Sequence, residues 1–258
     1  MTDAPLDAFA AFADSLAERT RPVIDRFFRQ PLSVEEKGDG SPVTIADRAV
    51  EEMLRAAIRE RFPDHGILGE EYGREDIGRR FVWVIDPIDG TKSFITGLPL
   101  FGTLLALLDE GRPVLGVVEV QPLRERWVGV SGRGTTLNGR PCRTRACTRI
   151  EDAVLYATTP DIFDGADAEA FARVSARVRL RRFGGDCYAY ALVATGTVDA
   201  VVEVGLQPYD YLPLVAVIEG AGGVVTDWQG RPPGIDSDGR IVAAATPELH
   251  RAILETLS

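Results

Sequence analysis

The chain has 258 residues, enough for one compact unit built of two packed halves, and its 45% apolar and 26% charged content is that of a soluble globular protein. Its 39 acids against 29 bases leave a net charge of −10, which argues against nucleic acid or an anionic membrane as partner. Three cysteines without CxxC spacing predict neither a disulfide scaffold nor a thiolate zinc site and suit a reducing cytoplasm; no signal-peptide pattern or membrane-length apolar run is present. With two histidines, both expected on the surface, chemistry falls to carboxylates.

In chain order, Leu6, Phe9, Phe12, Leu16, Ile24 and Phe27 recur at helical spacing, with Pro22 expected to kink that helix or start another. Residues 33–44, "SVEEKGDGSPVT", read as a loop or weak hairpin. Thr44 then caps a helix whose apolar face is Val50, Met53, Leu54, Ala57 and Ile58, and Asp47 suits a capping box. Short strands follow in "GILGE", "FVWVID", "GTLLALLD", "PVLGVVEV" and "RWVGV", with turns at Asp109-Glu110-Gly111 and Asn138-Gly139. They predict a largely antiparallel sheet covered by the two N-terminal helices.

The polar stretch 143–152 marks a boundary between an N-terminal half, 1–146, and a C-terminal half, 147–258. Beyond it, strands in "AVLYAT", "VRLRRF", "VDAVVEV" and "GGVVTDW" alternate with helices near 167–178, 186–195, 210–220 and 246–257, a layered α/β pattern. Trp83, Trp127 and Trp228 are expected to pack in the core or an interface, and Cys187 as a small apolar residue.

Acidic residues gather at four places. "DPIDGT" ends a buried strand with Asp86 and Asp89 in one turn, where Pro87 restrains the backbone. Two carboxylates and an intervening carbonyl aimed at one point suit Mg²⁺, and the Gly90 and Thr91 amides would follow as an anion cradle. An acidic helix cap is the plainer reading of that turn. Glu70 and Glu71 follow another apolar run, Asp210 precedes an apolar helix, and Asp47 lies three residues after Thr44. Singly, these are a solvated edge and two helix caps.

Taken in order, "GEE", "DPIDGTKSF", "TLNGRP" and "GLQPYD…EGAGG" resemble the inositol monophosphatase superfamily of metal-dependent phosphomonoesterases, from about Ser41 to Gly223. Tyr209-Asp210, where many members have Trp-Asp, together with "GGDCYAYALVATGTVDAVVE", looks most like the histidinol-phosphate phosphatase branch. The resemblance implies an α+β fold, an alternating α/β/α/β/α sandwich, and a homodimer activated by Mg²⁺ and commonly inhibited by lithium.

It also implies roles by motif. Glu70, Asp86, Asp89, Asp210 and the Ile88 carbonyl would bind two or three Mg²⁺, and Thr91 paired with Asp47 would orient and deprotonate the attacking water. Gly90 and Thr91 would hold phosphate, and Arg182 would bind phosphate or neutralise nearby acids. Glu71 would orient the water or support the metal ligands from behind, and Lys37, in a loop resembling the family's mobile lid, would meet a third metal or the phosphate. Asp186, after Gly185, and Glu203 fall at alcohol-contacting positions, where two acids suit a cationic leaving group. The implied reaction is in-line hydrolysis of L-histidinol phosphate. Inositol 1-phosphate is the alternative substrate, with fructose 1,6-bisphosphate and adenosine 3′,5′-bisphosphate behind it. A catalytically silent regulatory member is the non-enzymatic alternative, against which the complete acid set argues.

Overall fold

The computed structural model describes residues 3–31, 33–36 and 42–258. Helix α1, Asp3–Ile24, buries Leu6, Phe9, Ala13, Leu16 and Ala17. Pro22 starts no second helix; it lies inside the last turn of α1, which ends two residues later. Strands β1 (Val34–Glu36) and β2 (Pro42–Thr44) form the expected hairpin, antiparallel. Lys37 lies outside the described residues. Helix α2, Ile45–Arg61, begins on the expected capping box: Thr44 Oγ1 accepts from the Ala46 amide at 3.1 Å, and Asp47 Oδ2 accepts from the Thr44 amide at 2.8 Å.

The large sheet contains β3 (Gly66–Gly69), β4 (Gly73–Glu75), β5 (Phe81–Asp89), β6 (Gly102–Asp109), β7 (Arg112–Val120), β8 (Glu125–Val130), β9 (Gly134–Leu137) and β10 (Arg140–Cys142). Their order is β10-β9-β8-β7-β6-β5-β3-β4, and every pairing is antiparallel except β3 with β5. Asn138 and Gly139, both at positive φ, turn β9 into β10 as their sequence predicts. Near its end β5 bulges: Asp86 opposes Leu104 and Asp89 opposes Gly102, so Pro87 and Ile88 share one partner, Thr103. The short helix α3, Thr91–Thr96, follows at once.

The smaller sheet comprises β11 (Val154–Ala157), β12 (Leu180–Phe183), β13 (Ala200–Glu203), β14 (Val224–Asp227) and β15 (Ile241–Ala244), in the order β12-β11-β13-β15-β14. Its first three strands are parallel, connected through α4 (Gly165–Arg177) and α5 (Cys187–Ala194). Helix α6 (Pro208–Gly220) precedes β14, and α7 (Pro247–Leu257) closes the chain. Sequence reading missed β15, whose Ile-Val-Ala-Ala is short and alanine-rich; it is nevertheless fully buried between β13 and β14.

Three apolar clusters hold five layers together. Helices α1 and α2 pack on one face of the large sheet around Leu16, Leu54 and Trp83. On its other face lie α5 and α6, with Trp127, Tyr211 and Ile218, and they meet the smaller sheet beyond. Outermost, α4 and α7 bury Phe171 and Ile253 on the smaller sheet. Gly116 and Gly129, opposite each other on β7 and β8, let α6 press close: a Cβ at either would overlap the backbone of Pro213, Ala216 or Val217.

The surface assignment of the histidines is overturned. His65 stacks on Phe62, centroids 4.7 Å apart and planes at 8°, and its Nδ1 accepts from Trp83 Nε1 at 3.1 Å. His250 is buried with Nε2 2.7 Å from Thr226 Oγ1. Burial pushes both imidazole pKa values down.

Candidate active site

Hydrophobic neighbours Val84 and Ile85 bury the end of β5 and carry Asp86 inward, so its carboxylate is only 2% exposed. The bulge then brings Asp89 round, and its Oδ2 accepts from the Cys187 amide at 2.6 Å. Asp210 arrives from the first turn of α6. Its Oδ2 caps the helix by accepting from the Gln207 amide at 2.7 Å, so capping and membership of the cluster coexist. One oxygen from each of Asp86, Asp89 and Asp210 lies within 4.8 Å of the other two. Glu70, just past β3, borders the same cavity.

Burial and mutual repulsion make these acids reluctant to ionise. Desolvation, then the charges of Glu70, Asp89 and Asp210, hold Asp86 well above the usual carboxylate range. Asp89 is raised likewise by burial and by Asp186 and Asp210, and burial pushes Asp210 up to about 7. Asp86 Oδ1 is buried with no hydrogen-bond partner among the described residues. An orphaned oxygen in an all-oxygen cluster fits a hard divalent cation, which would relieve both the desolvation and the repulsion. Glu70, Asp86, Asp89 and Asp210 are the side chains that would hold it.

Asp47 is 1% exposed, and its Oδ2 is committed to Thr44, accepting from the amide and, at 2.6 Å, from the hydroxyl. Its Oδ1 is buried with no hydrogen-bond partner among the described residues. Desolvation raises its pKa. The Thr91 hydroxyl donates to the Ile88 carbonyl at 3.0 Å, so the paired Asp47–Thr91 arrangement expected from sequence is not the one seen.

The cavity measures about 280 Å³ and is walled by Glu70, Asp86, Asp89, Asp186, Glu203 and Asp210, with Lys92 the basic residue among them. Gly90 lies between the acidic turn and Asp186. Its φ of +82° favours glycine, and a Cβ there would come within 2.9 Å of Asp186 Oδ2 and push that carboxylate aside. Asp186, itself at φ +46°, accepts from Ser93 Oγ at 2.9 Å, and burial raises its pKa. Glu203 is buried beneath the wall, accepting from Tyr190 Oη at 2.8 Å and from the Thr158 amide; desolvation raises its pKa too.

Among the described residues, Asp47, Glu71, Arg182 and Gly185 stand outside this lining. Arg182 is exposed on β12, the edge strand of the smaller sheet, where neither expected role reaches the cavity. Sequence reading missed Lys92, Thr158, Ile162 and the run Val204–Leu206. Thr158 and Val204 directly follow β11 and β13, parallel strands whose C-terminal ends are a usual place for ligands. That signal was in the sequence once those strands were read as parallel.

A five-layered α+β sandwich with a carboxylate-walled cavity at the end of a bulged strand is the architecture of a phosphatase class. The chain belongs to the inositol monophosphatase family, a family of phosphatases whose model matches residues 6–258. It is 46% identical to the chloroplastic bifunctional phosphatase IMPL2 of Arabidopsis thaliana, covering 100% of this chain and 77% of that protein. The histidinol-phosphatase of Chlorobaculum parvum is 36% identical over 88% of this chain and 89% of its own. A solved inositol monophosphatase from Zymomonas mobilis superposes with a TM-score of 0.89 at 41% identity, covering 97% and 98% of the two chains. Among the described residues no helix is long and apolar enough to cross a membrane.

Proposed function

We propose that this phosphatase hydrolyses L-histidinol phosphate with Mg²⁺ as its cofactor, in a cytoplasmic homodimer. The observation that carries the substrate is the acid excess of the cavity beyond the metal-type trio: Asp186 and Glu203 line it as well, against one lysine. A leaving group bearing an amine and an imidazole suits that wall better than a neutral polyol or a second phosphate. The histidinol-phosphatase relative agrees with this choice. The likeness to an inositol monophosphatase supports inositol 1-phosphate as the second reading.

When bound, divalent ions supply Lewis acidity towards the phosphate oxygens and the attacking water. The chain's own groups do the rest. Asp86, Asp89, Asp210 and Glu70 would hold the cations, and the bulged end of β5 that carries Asp86 and Asp89 is fixed before substrate arrives. Asp47 Oδ1, buried and without a hydrogen-bond partner among the described residues, is the oxygen to which the attacking water's proton would pass by way of Thr91, once that hydroxyl turns from the Ile88 carbonyl to Asp47. The Gly90 and Thr91 amides at the start of α3 are offered to the phosphate, and Asp186 to the leaving group's amine.

The test compares kcat/KM for L-histidinol phosphate and inositol 1-phosphate with Mg²⁺, in wild type and Asp186→Asn. A preference for histidinol phosphate that falls about tenfold or more in the variant supports the reading. Preference for inositol 1-phosphate, unchanged by the substitution, sinks it.

A further inference from the structure

The β5 bulge leaves Pro87 and Ile88 facing a single residue, Thr103. Pro87 has no N–H to offer, and a bulge puts one residue outside regular pairing. Here the Thr103 hydroxyl donates to the Pro87 carbonyl at 2.7 Å. Having given its proton away, Thr103 Oγ1 can only accept, and Gln121 Nε2 donates to it at 2.6 Å. The second amide hydrogen goes to Thr20 Oγ1 at 3.0 Å, whose proton in turn goes to the Ala17 carbonyl at 2.7 Å. A hydrogen-bond chain therefore runs from α1 to the acidic turn, with its direction fixed by a carbonyl at each end.

Thr20 and Thr103 are fully buried and Gln121 is 4% exposed. Gln121 Oε1 is buried with no hydrogen-bond partner among the described residues. That orphan costs stability, which an apolar side chain of similar shape would not, so the two N–H donors are what the residue contributes. The Pro87 carbonyl and the Ile88 amide share one rigid peptide plane. Holding the carbonyl holds that plane and with it the path from Asp86 to Asp89, whose like charges would otherwise drive the turn apart.

We propose that Thr103 and Gln121 are positioning residues that keep the Asp86–Asp89 turn in its cation-binding shape through the Pro87 carbonyl. This rests on reading the Asp86, Asp89 and Asp210 trio as a divalent-cation site. The test uses the full chain and Mn²⁺ as probe, with affinity read by electron paramagnetic resonance and melting followed separately in EDTA. Thr103→Val weakens Mn²⁺ binding about tenfold or more, and Thr103→Ser, which keeps the hydroxyl, restores it. Thr20→Val breaks the far end of the chain and lowers melting in EDTA, yet leaves Mn²⁺ affinity within about threefold.

Should Thr103→Val fail to fold, Gln121→Met removes the donor while leaving Thr103 in place, and is expected to weaken Mn²⁺ by about threefold or more. Lowered melting with unchanged Mn²⁺ affinity in either variant overturns the proposal alone. A wild type that binds no Mn²⁺ overturns the cation reading and the proposal with it.

Discussion

A carboxylate oxygen of the fully buried Glu51 accepts the Glu71 backbone amide at 2.7 Å, tying α2 to the segment that carries Glu70. The other oxygen accepts from the Tyr72 amide at 3.2 Å and from Arg55 Nε at 2.7 Å. Arg55, 3% exposed, also reaches the Gly73 carbonyl and Glu75. Glu51→Ala would strip a buried guanidinium of its main counter-charge and leave two amides unpaired, a loss of about 3–5 kcal/mol. The expected fall in Tm is about 6–20 °C for a chain of this size, measured by calorimetry. A variant melting within about 2 °C of wild type would show that the pair holds nothing in place.

Asp47 caps α2 with one oxygen and, in the proposed mechanism, would take a proton on the other; Asp47→Asn separates the two. The amide can keep its oxygen on Thr44 and turn its nitrogen to where Oδ1 lies, so the α2 cap survives. The expected result is kcat lowered about 10²-fold or more, with Mn²⁺ affinity and melting close to wild type. Equal loss of affinity and rate would make Asp47 a prop for the cation site rather than a proton acceptor.

Stability of the metal-free protein should fall as pH rises. A carboxyl whose pKa is higher folded than unfolded favours folding when protonated, and that advantage is lost between the two values. For Asp210 the window runs from its ordinary 3.8 to about 7, and Asp86 and Asp89 shift in the same direction. The surface carboxylates lowered by arginine, such as Glu18 and Glu75, act below pH 4.5 and leave this window alone, whereas the lowered His65 and His250 favour folding as pH rises to 6.5 and offset part of the carboxyl effect. In EDTA, Tm at pH 5.5 should exceed that at pH 8 by about 4 °C or more. Mg²⁺ should restore the loss at pH 8, and Asp210→Asn should flatten the slope. A melting temperature indifferent to pH in EDTA would mean that the trio is less strained than its burial implies.

Much of this was legible beforehand because the signals were local. Thr44 and Asp47 are three residues apart and form the capping box their spacing predicts; Asn138-Gly139 makes its turn; "DPIDGT" ends its strand in clustered acid. The misses share a different cause. His65 is held by Phe62 and Trp83, His250 by Thr226, and Ile241–Ala244 by strands from elsewhere in the chain, so no local pattern marks them. The Asp47–Thr91 pair was drawn from resemblance, yet each partner has a nearer acceptor or donor in Ile88 and Thr44. The chain through Gln121 was invisible because it joins residues about a hundred positions apart.

The facing glycines of β7 and β8 bear on all of this from beneath the middle of α6. Asp210 rides on that helix while Asp86 and Asp89 ride on the sheet, so the trio's spacing is set by how far helix and sheet stand apart. A single methyl group at Gly116 or Gly129 would act as a shim, lifting one acid away from the other two. The tolerance of the cluster is thus written into residues that have no side chain and never touch a ligand.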